Sequence, residues 1–187
     1  MRIREATLDD APGLARVHVD TWRTAYPGII PAAHLAGLSY ERSEARWHDH
    51  LTGMDGRRFT YVAEEAGRVI GLASGGPERD GLSGYDGELY GLYVLAEYQR
   101  HGVGRALLQV VAQHLATGGF KAMVIWVLKE NVKARAFYEA LGGVLVEEKA
   151  ITIGGAELID IAYGWPDIQV IAFHAEIGYD DGRPNET

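Results

Sequence analysis

Glu88-Leu89-Tyr90-Gly91-Leu92-Tyr93-Val94, followed by Gln99-Arg100-His101-Gly102-Val103-Gly104-Arg105, is the stretch on which the reading of this chain turns. The first run, rich in Tyr, Leu and Val, predicts a β-strand. Gly104 to Thr117 then places Leu107, Leu108, Val111 and Leu115 on one helical stripe that stops at Gly118-Gly119. The glycine loop thus joins a strand to a helix, where main-chain N–H groups and the helix dipole favour an anion. Glycines at 102 and 104 would let backbone approach a pyrophosphate, although taken alone they serve equally as a plain strand-to-helix turn. A Walker loop would continue with Lys and Ser or Thr where Arg105-Ala106 stand, and a dinucleotide fingerprint would need a third glycine at Leu107. Neither nucleotide reading fits.

Outward from this stretch the periods alternate. Residues 2–6 predict an opening strand, and Thr7-Leu8-Asp9-Asp10 predicts a cap for a helix running to about Tyr26 through Leu14, His18 and Trp22. Pro27 to Pro31 breaks it, and a short helix at Leu35–Leu38 and a longer one over 40–51 follow. Phe59 to Ala63 and Val69 to Ser74 read as a hairpin, and Gly76 to Gly87, with four glycines and a proline, reads as a mobile loop. The nearly all-apolar run from Lys121 to Leu128 predicts a central strand, and Asn131 to Leu141 predicts a helix with Ala134, Phe137, Tyr138 and Leu141 on one face. A last hairpin runs from Val144 to Trp165 around Gly154-Gly155. The order βααβββαβαββ means a mixed sheet with helices on its faces, an α/β (α+β) fold in one domain over residues 1–165. Residues 166–187 are expected to be a C-terminal extension, with a strand at Val170 to Phe173 and a frayed end from Asp180.

Two signatures carry a resemblance. Glu88 to Val94 with Gln99-x-x-Gly102-x-Gly104, and Asn131-x-x-Ala134-x-x-Phe137-Tyr138 with Leu141-Gly142, resemble the acyl-CoA segment and second motif of the Gcn5-related N-acetyltransferase (GNAT) superfamily. The resemblance implies a mostly antiparallel sheet, splayed between its fourth and fifth strands. Backbone at Leu92, Tyr93 and Val94 would pair with the pantetheine arm of acetyl-CoA, one amide facing the thioester oxygen. Gln99, Arg100, His101, Gly102, Val103, Gly104 and Arg105 would hold its pyrophosphate, with Asn131, Ala134 and Phe137 also beside it. Tyr138 would be the proton donor to the departing thiolate, and Glu88 the base, unless it is an ordinary strand-edge carboxylate. The resemblance places the acceptor near Trp22, Tyr26 and the Gly76–Gly87 loop.

Composition narrows the chemistry. The 187 residues are 47% hydrophobic and 24% charged, ordinary for a folded chain, and contain no cysteine, so thiol nucleophiles, disulfides and thiolate metal sites are excluded. The four serines show no Gly-x-Ser-x-Gly elbow, so direct attack within a ternary complex is expected rather than covalent catalysis. His48 and His50 sit two apart, which on a helix sends them to different sides, so no metal is expected. No apolar run is long enough for a membrane span and no signal peptide opens the chain, giving a cytoplasmic reading. Residues 99–138 carry six basic side chains against Glu130, a local +5 that leaves −13 on the rest of a chain whose net charge is −8. That asymmetry suggests an anion seat in a body that disfavours nucleic acid and favours a cationic acceptor. The expected activity is acetyl transfer to a primary amine of a small molecule; the competing readings are a protein or peptide N-acetyltransferase and an inactive CoA-binding regulatory module. Exposed strands in the last hairpin point to a homodimer.

Overall fold

The computed structural model describes residues 1–173. β1 (Arg2–Glu5) leads into α1 (Ala11–Ala25), α2 (Ala32–Ala36) and α3 (Tyr40–Thr52), then β2 (Phe59–Glu65), β3 (Arg68–Pro77) and β4 (Gly87–Val94). After these come α4 (Val103–Thr117), β5 (Met123–Leu128), α5 (Val132–Ala140), β6 (Val144–Ile153), β7 (Ala156–Trp165) and α6 (Gln169–Ala172). The seven strands form one sheet in the order β1-β2-β3-β4-β5-β7-β6, antiparallel throughout except for β4 against β5. Both glycines of the last hairpin have positive φ, as its two-residue turn requires.

Alternation along β2 and β3, shifted by one residue at a bulge at Ile70, feeds two cores. Val62 and Leu72 pack with Leu14 and Val17 of α1 and Leu51 of α3 on one face. On the other, Ile70, Ala73, Leu89, Met123 and Ile161 pack with the fully buried Leu107, Leu108, Val111 and Leu115 of α4. The predicted helical stripe is therefore the wall of the larger core. At the first helix, the Asp10 carboxylate accepts from the Thr7 amide at 2.8 Å and hydroxyl at 3.1 Å, and Arg4 grips it at 2.7 and 2.8 Å. That fork ties β1 to the helix entrance and holds the Asp10 carboxyl below the usual carboxylate range.

Two expectations need correction. The strand expected at Val170 to Phe173 is the helix turn α6: Pro166 ends β7, Asp167 accepts from the Gln169 amide at 2.9 Å, and Ile168, Ile171 and Ala172 recur at helical spacing. These three are buried in the α4 core, and Gln113 donates to the Ala172 carbonyl at 2.8 Å, so the packed unit runs past the expected boundary at 165. The second concerns Gly76 to Gly87, whose first two residues continue β3. The Glu78 carboxylate accepts from the amides of Asp80, Gly81 and Leu82 in the remaining loop, while Asp86 accepts from those of Lys121 and Ala122. Both acids fix backbone where glycine content alone suggested mobility. The end expected to fray from Asp180 lies outside the described residues.

Candidate active site

β4 and β5 pair only at Gly87–Met123 and Glu88–Val124, then part. Between β3 and β4 the register slips so that Ser74 faces Gly91 and Gly75 faces Leu89, leaving Tyr90 as a bulge where the strands begin to diverge. The Leu95 amide bonds to the Ile70 carbonyl at 3.0 Å. By the alternation of an antiparallel ladder, the main-chain groups of Tyr93 are then used by β3, while those of Leu92 and Val94 point into the gap. Gln99 caps one of them, its side-chain amide donating to the Val94 carbonyl at 3.0 Å. Of the three predicted backbone positions, Leu92 and Val94 thus offer main chain to the gap, and Tyr93 offers its side chain to the opposite face.

At the mouth of the gap Arg100 holds φ 63° and Gly102 φ 82°. Gly102 is the cap of α4 and supplies no side-chain hydrogen bond, so the first-turn amides of Val103, Gly104 and Arg105 keep no partner within the helix. Arg100, His101 and Arg105 are exposed, and neither arginine forms an ion pair among the described residues. Gly104 serves packing: a Cβ there would stand 3.4 Å from the Phe137 ring and 3.9 Å from Leu92.

Asn131 caps α5 by accepting from the Ala134 amide at 3.3 Å, and Tyr138 follows two turns on. Tyr138 is 4% exposed, set among Phe137, Tyr163 and Trp165, and its hydroxyl makes no hydrogen bond among the described residues. Burial raises its pKa far above the ordinary phenol value, with Tyr26 and Tyr93 adding to the effect. Those two rings bring the opposite face of the sheet to it. Trp22 lies 5.1 Å from Tyr26 and 5.2 Å from His18, and His18 lies 5.3 Å from Tyr93. Burial also raises the Tyr26 hydroxyl, against the opposing hydrogen bond of the Asn131 side chain. It pushes the His18 imidazole down to about 4, so that ring is neutral at pH 7. The buried Trp22 indole nitrogen is aimed at the Tyr93 hydroxyl and partly offsets the rise that burial gives it.

Glu88 is 2% exposed and closed by Arg79, whose Nε donates at 3.0 Å and Nη2 at 2.5 Å to its two oxygens. The same guanidinium lies 4.1 Å over the Tyr90 ring. An amine would have to displace Arg79 before Glu88 could take its proton. His18, Tyr93 as a side chain, Arg79 and Asp160 were not picked out from the sequence. His18 had a signal, one turn before Trp22; Asp160 had a weaker one, the lone acid within Leu158 to Ala162. His50 bonds Thr60 at 3.1 Å, and among the described residues no three His, Asp or Glu gather to hold a metal ion.

Comparison with known proteins agrees with this fold. The sequence model of the acetyltransferase (GNAT) family matches residues 19–143. The uncharacterized N-acetyltransferase YuaI of Bacillus subtilis (strain 168) is 43% identical over 171 residues, covering 90% of this chain and 95% of that one. Aminoglycoside N(6')-acetyltransferase type 1 of Salmonella typhimurium is 28% identical over 141 residues, 71% of this chain and 90% of that one. The crystal structure of PaiA N-acetyltransferase from Thermoplasma acidophilum in complex with coenzyme A superimposes with a TM-score of 0.71 at 19% identity, covering 87% and 96% of the two chains. The family model and these relatives make the chain an acyltransferase. The chain belongs to the GNAT acetyltransferase family.

Proposed function

We propose that the protein moves the acetyl group of acetyl-CoA to a primary amine of a small, cationic molecule by direct attack. The observation that supports this is the parting of β4 from β5, which leaves main chain of Leu92 and Val94 unpaired in the strand that leads to the start of α4; the buried Tyr138 hydroxyl, influenced by Tyr93 of β4, is read as serving the same gap. The residues fit the donor. The amides of Val103 to Arg105, with Arg100 and Arg105, would hold its pyrophosphate, and Val94 and Leu92 its arm. The donor supplies an activated thioester carbonyl; the Leu92 amide stabilises negative charge developing on its oxygen. Tyr138, kept neutral by burial, carries the proton that the leaving sulfur needs, and geometry must compensate for its weak acidity. Trp22, Tyr26 and Tyr93 wall the acceptor side, which favours a small molecule over a protein surface. The aminoglycoside acetyltransferase among the relatives supports the same choice. Coenzyme A release from acetyl-CoA, screened against spermidine, kanamycin and a lysine peptide, tests the reading: release with spermidine or kanamycin supports it, and release with the peptide alone makes the acceptor a protein or peptide. A rise in melting temperature with acetyl-CoA but no release would instead mark a regulatory module. The reading includes a homodimer through the free edge of β6, where Val144 and Leu145 are 51% and 53% exposed. A monomeric mass by light scattering would refute that part.

A further inference from the structure

Asp160 sits in β7 directly across from Leu128 of β5 and Lys149 of β6. Leu128, and Leu158 two residues earlier on the same face, pack with Trp22 and Tyr26. The carboxylate therefore belongs to the face over which α1 ends. No hydrogen bond or ion pair engages it among the described residues, although a lysine stands opposite. Lys149 instead pairs with Asp80 and rests 3.7 Å over the Trp126 ring, whose indole nitrogen is itself buried and has no partner among the described residues. The charged and titratable groups facing Asp160 are Lys149 from β6, Asp80 from the 78–86 loop, Tyr26 from the end of α1 and Tyr93 from β4. A half-buried carboxylate left unpaired is costly, and the cross-strand salt bridge that would relieve it is not made.

Building on the acetyltransferase reading, we infer that Asp160 receives the acceptor's ammonium group and takes its proton, so that the acceptor is a primary ammonium compound held between the carboxylate and the aromatic wall. Trp22, Tyr26 and Tyr93 offer ring faces suited to a cation. The proton balance closes. Asp160 takes one proton from the ammonium, and the freed nitrogen lone pair forms the bond to the acetyl carbon. The carbon–sulfur bond breaks with its electrons on sulfur, which takes the Tyr138 proton. Tyr138 regains one from the nitrogen, and Asp160 releases its own to solvent. Burial, with Asp80 adding and Lys149 opposing, pushes the Asp160 carboxyl up to about 6, ionised at pH 7 yet basic enough to accept.

The test follows coenzyme A release from acetyl-CoA with spermidine or kanamycin between pH 5 and 9. The wild type should lose kcat/KM below a midpoint near 6. Asp160→Asn should fall by roughly 10²- to 10⁴-fold and lose that limb, with acetyl-CoA Kd unchanged and partial recovery in Asp160→Glu. A variant near wild-type activity, or one that keeps the limb, overturns the assignment. If the wild type acetylates neither amine, the acceptor reading fails for them, and Asp160 is judged apart from turnover. Carbon-13 NMR of the aspartate carboxyls, assigned with Asp160→Asn, then follows its titration with and without spermidine. A lower midpoint on adding spermidine supports ammonium docking; an unmoved one refutes it.

Discussion

Tyr138 and Gly102 show what single residues contribute. If the buried Tyr138 hydroxyl supplies the proton to the leaving sulfur as proposed, Tyr138→Phe should cut kcat about 10²- to 10³-fold while acetyl-CoA Kd, by calorimetry, stays within a factor of two. Unchanged kcat would remove it from the mechanism. At Gly102 an added Cβ meets nothing within 4 Å, so the whole cost of Gly102→Ala is its φ of 82°, about 1–2 kcal/mol in a denaturant titration. Arg100 already bears such strain at φ 63°. Arg100→Gly should leave stability equal or higher while weakening acetyl-CoA binding through the lost charge. Strain kept in a charged residue at the mouth of an anion seat makes sense if the guanidinium is what the loop is for.

At the scale of elements, local patterns were legible and long-range partnerships were not. The α4 stripe, the Asn131 cap and the Gly154-Gly155 turn depend on spacing within one segment, and the sequence carries that spacing. The parting of β4 from β5 depends on where pairing between distant strands stops, so only the family resemblance suggested it. Arg79 and Glu88 are nine apart and meet because a loop folds back, which no periodicity encodes. α6 was misread because four apolar residues fit either period, and packing against α4 decided between them. If α6 is part of the core, Ile168→Ala should cost about 2–4 kcal/mol in a denaturant titration, as for any fully buried isoleucine. A loss below 0.5 kcal/mol would return 166–173 to the status of an appendage.

Across the whole molecule, buried charges pull stability in opposite pH directions. Arg4 holds the Asp10 carboxyl low, so that pair stabilises the fold above the ordinary carboxylate pKa and is lost as pH falls through and below it. Asp160 has the reverse sign. With its folded value near 6 and an unfolded value near 3.8, the native state binds more protons between those limits, so stability declines as pH rises across them. His18, held near 4 against 6.5 unfolded, binds fewer protons when folded and works against Asp160 over much of the same range. The wild-type curve therefore blurs the two, and the informative quantity is the difference between wild type and Asp160→Asn. The variant should be more stable by about 1–2 kcal/mol at pH 7.5, allowing for solvent at a half-exposed group, and no more stable at pH 3.5. Chemical denaturation at both pH values measures it. A variant less stable at pH 7.5 would mean that the carboxylate serves the fold. A gain there with a loss of turnover would mean that the fold bears an unfavourable charge which only the reaction uses.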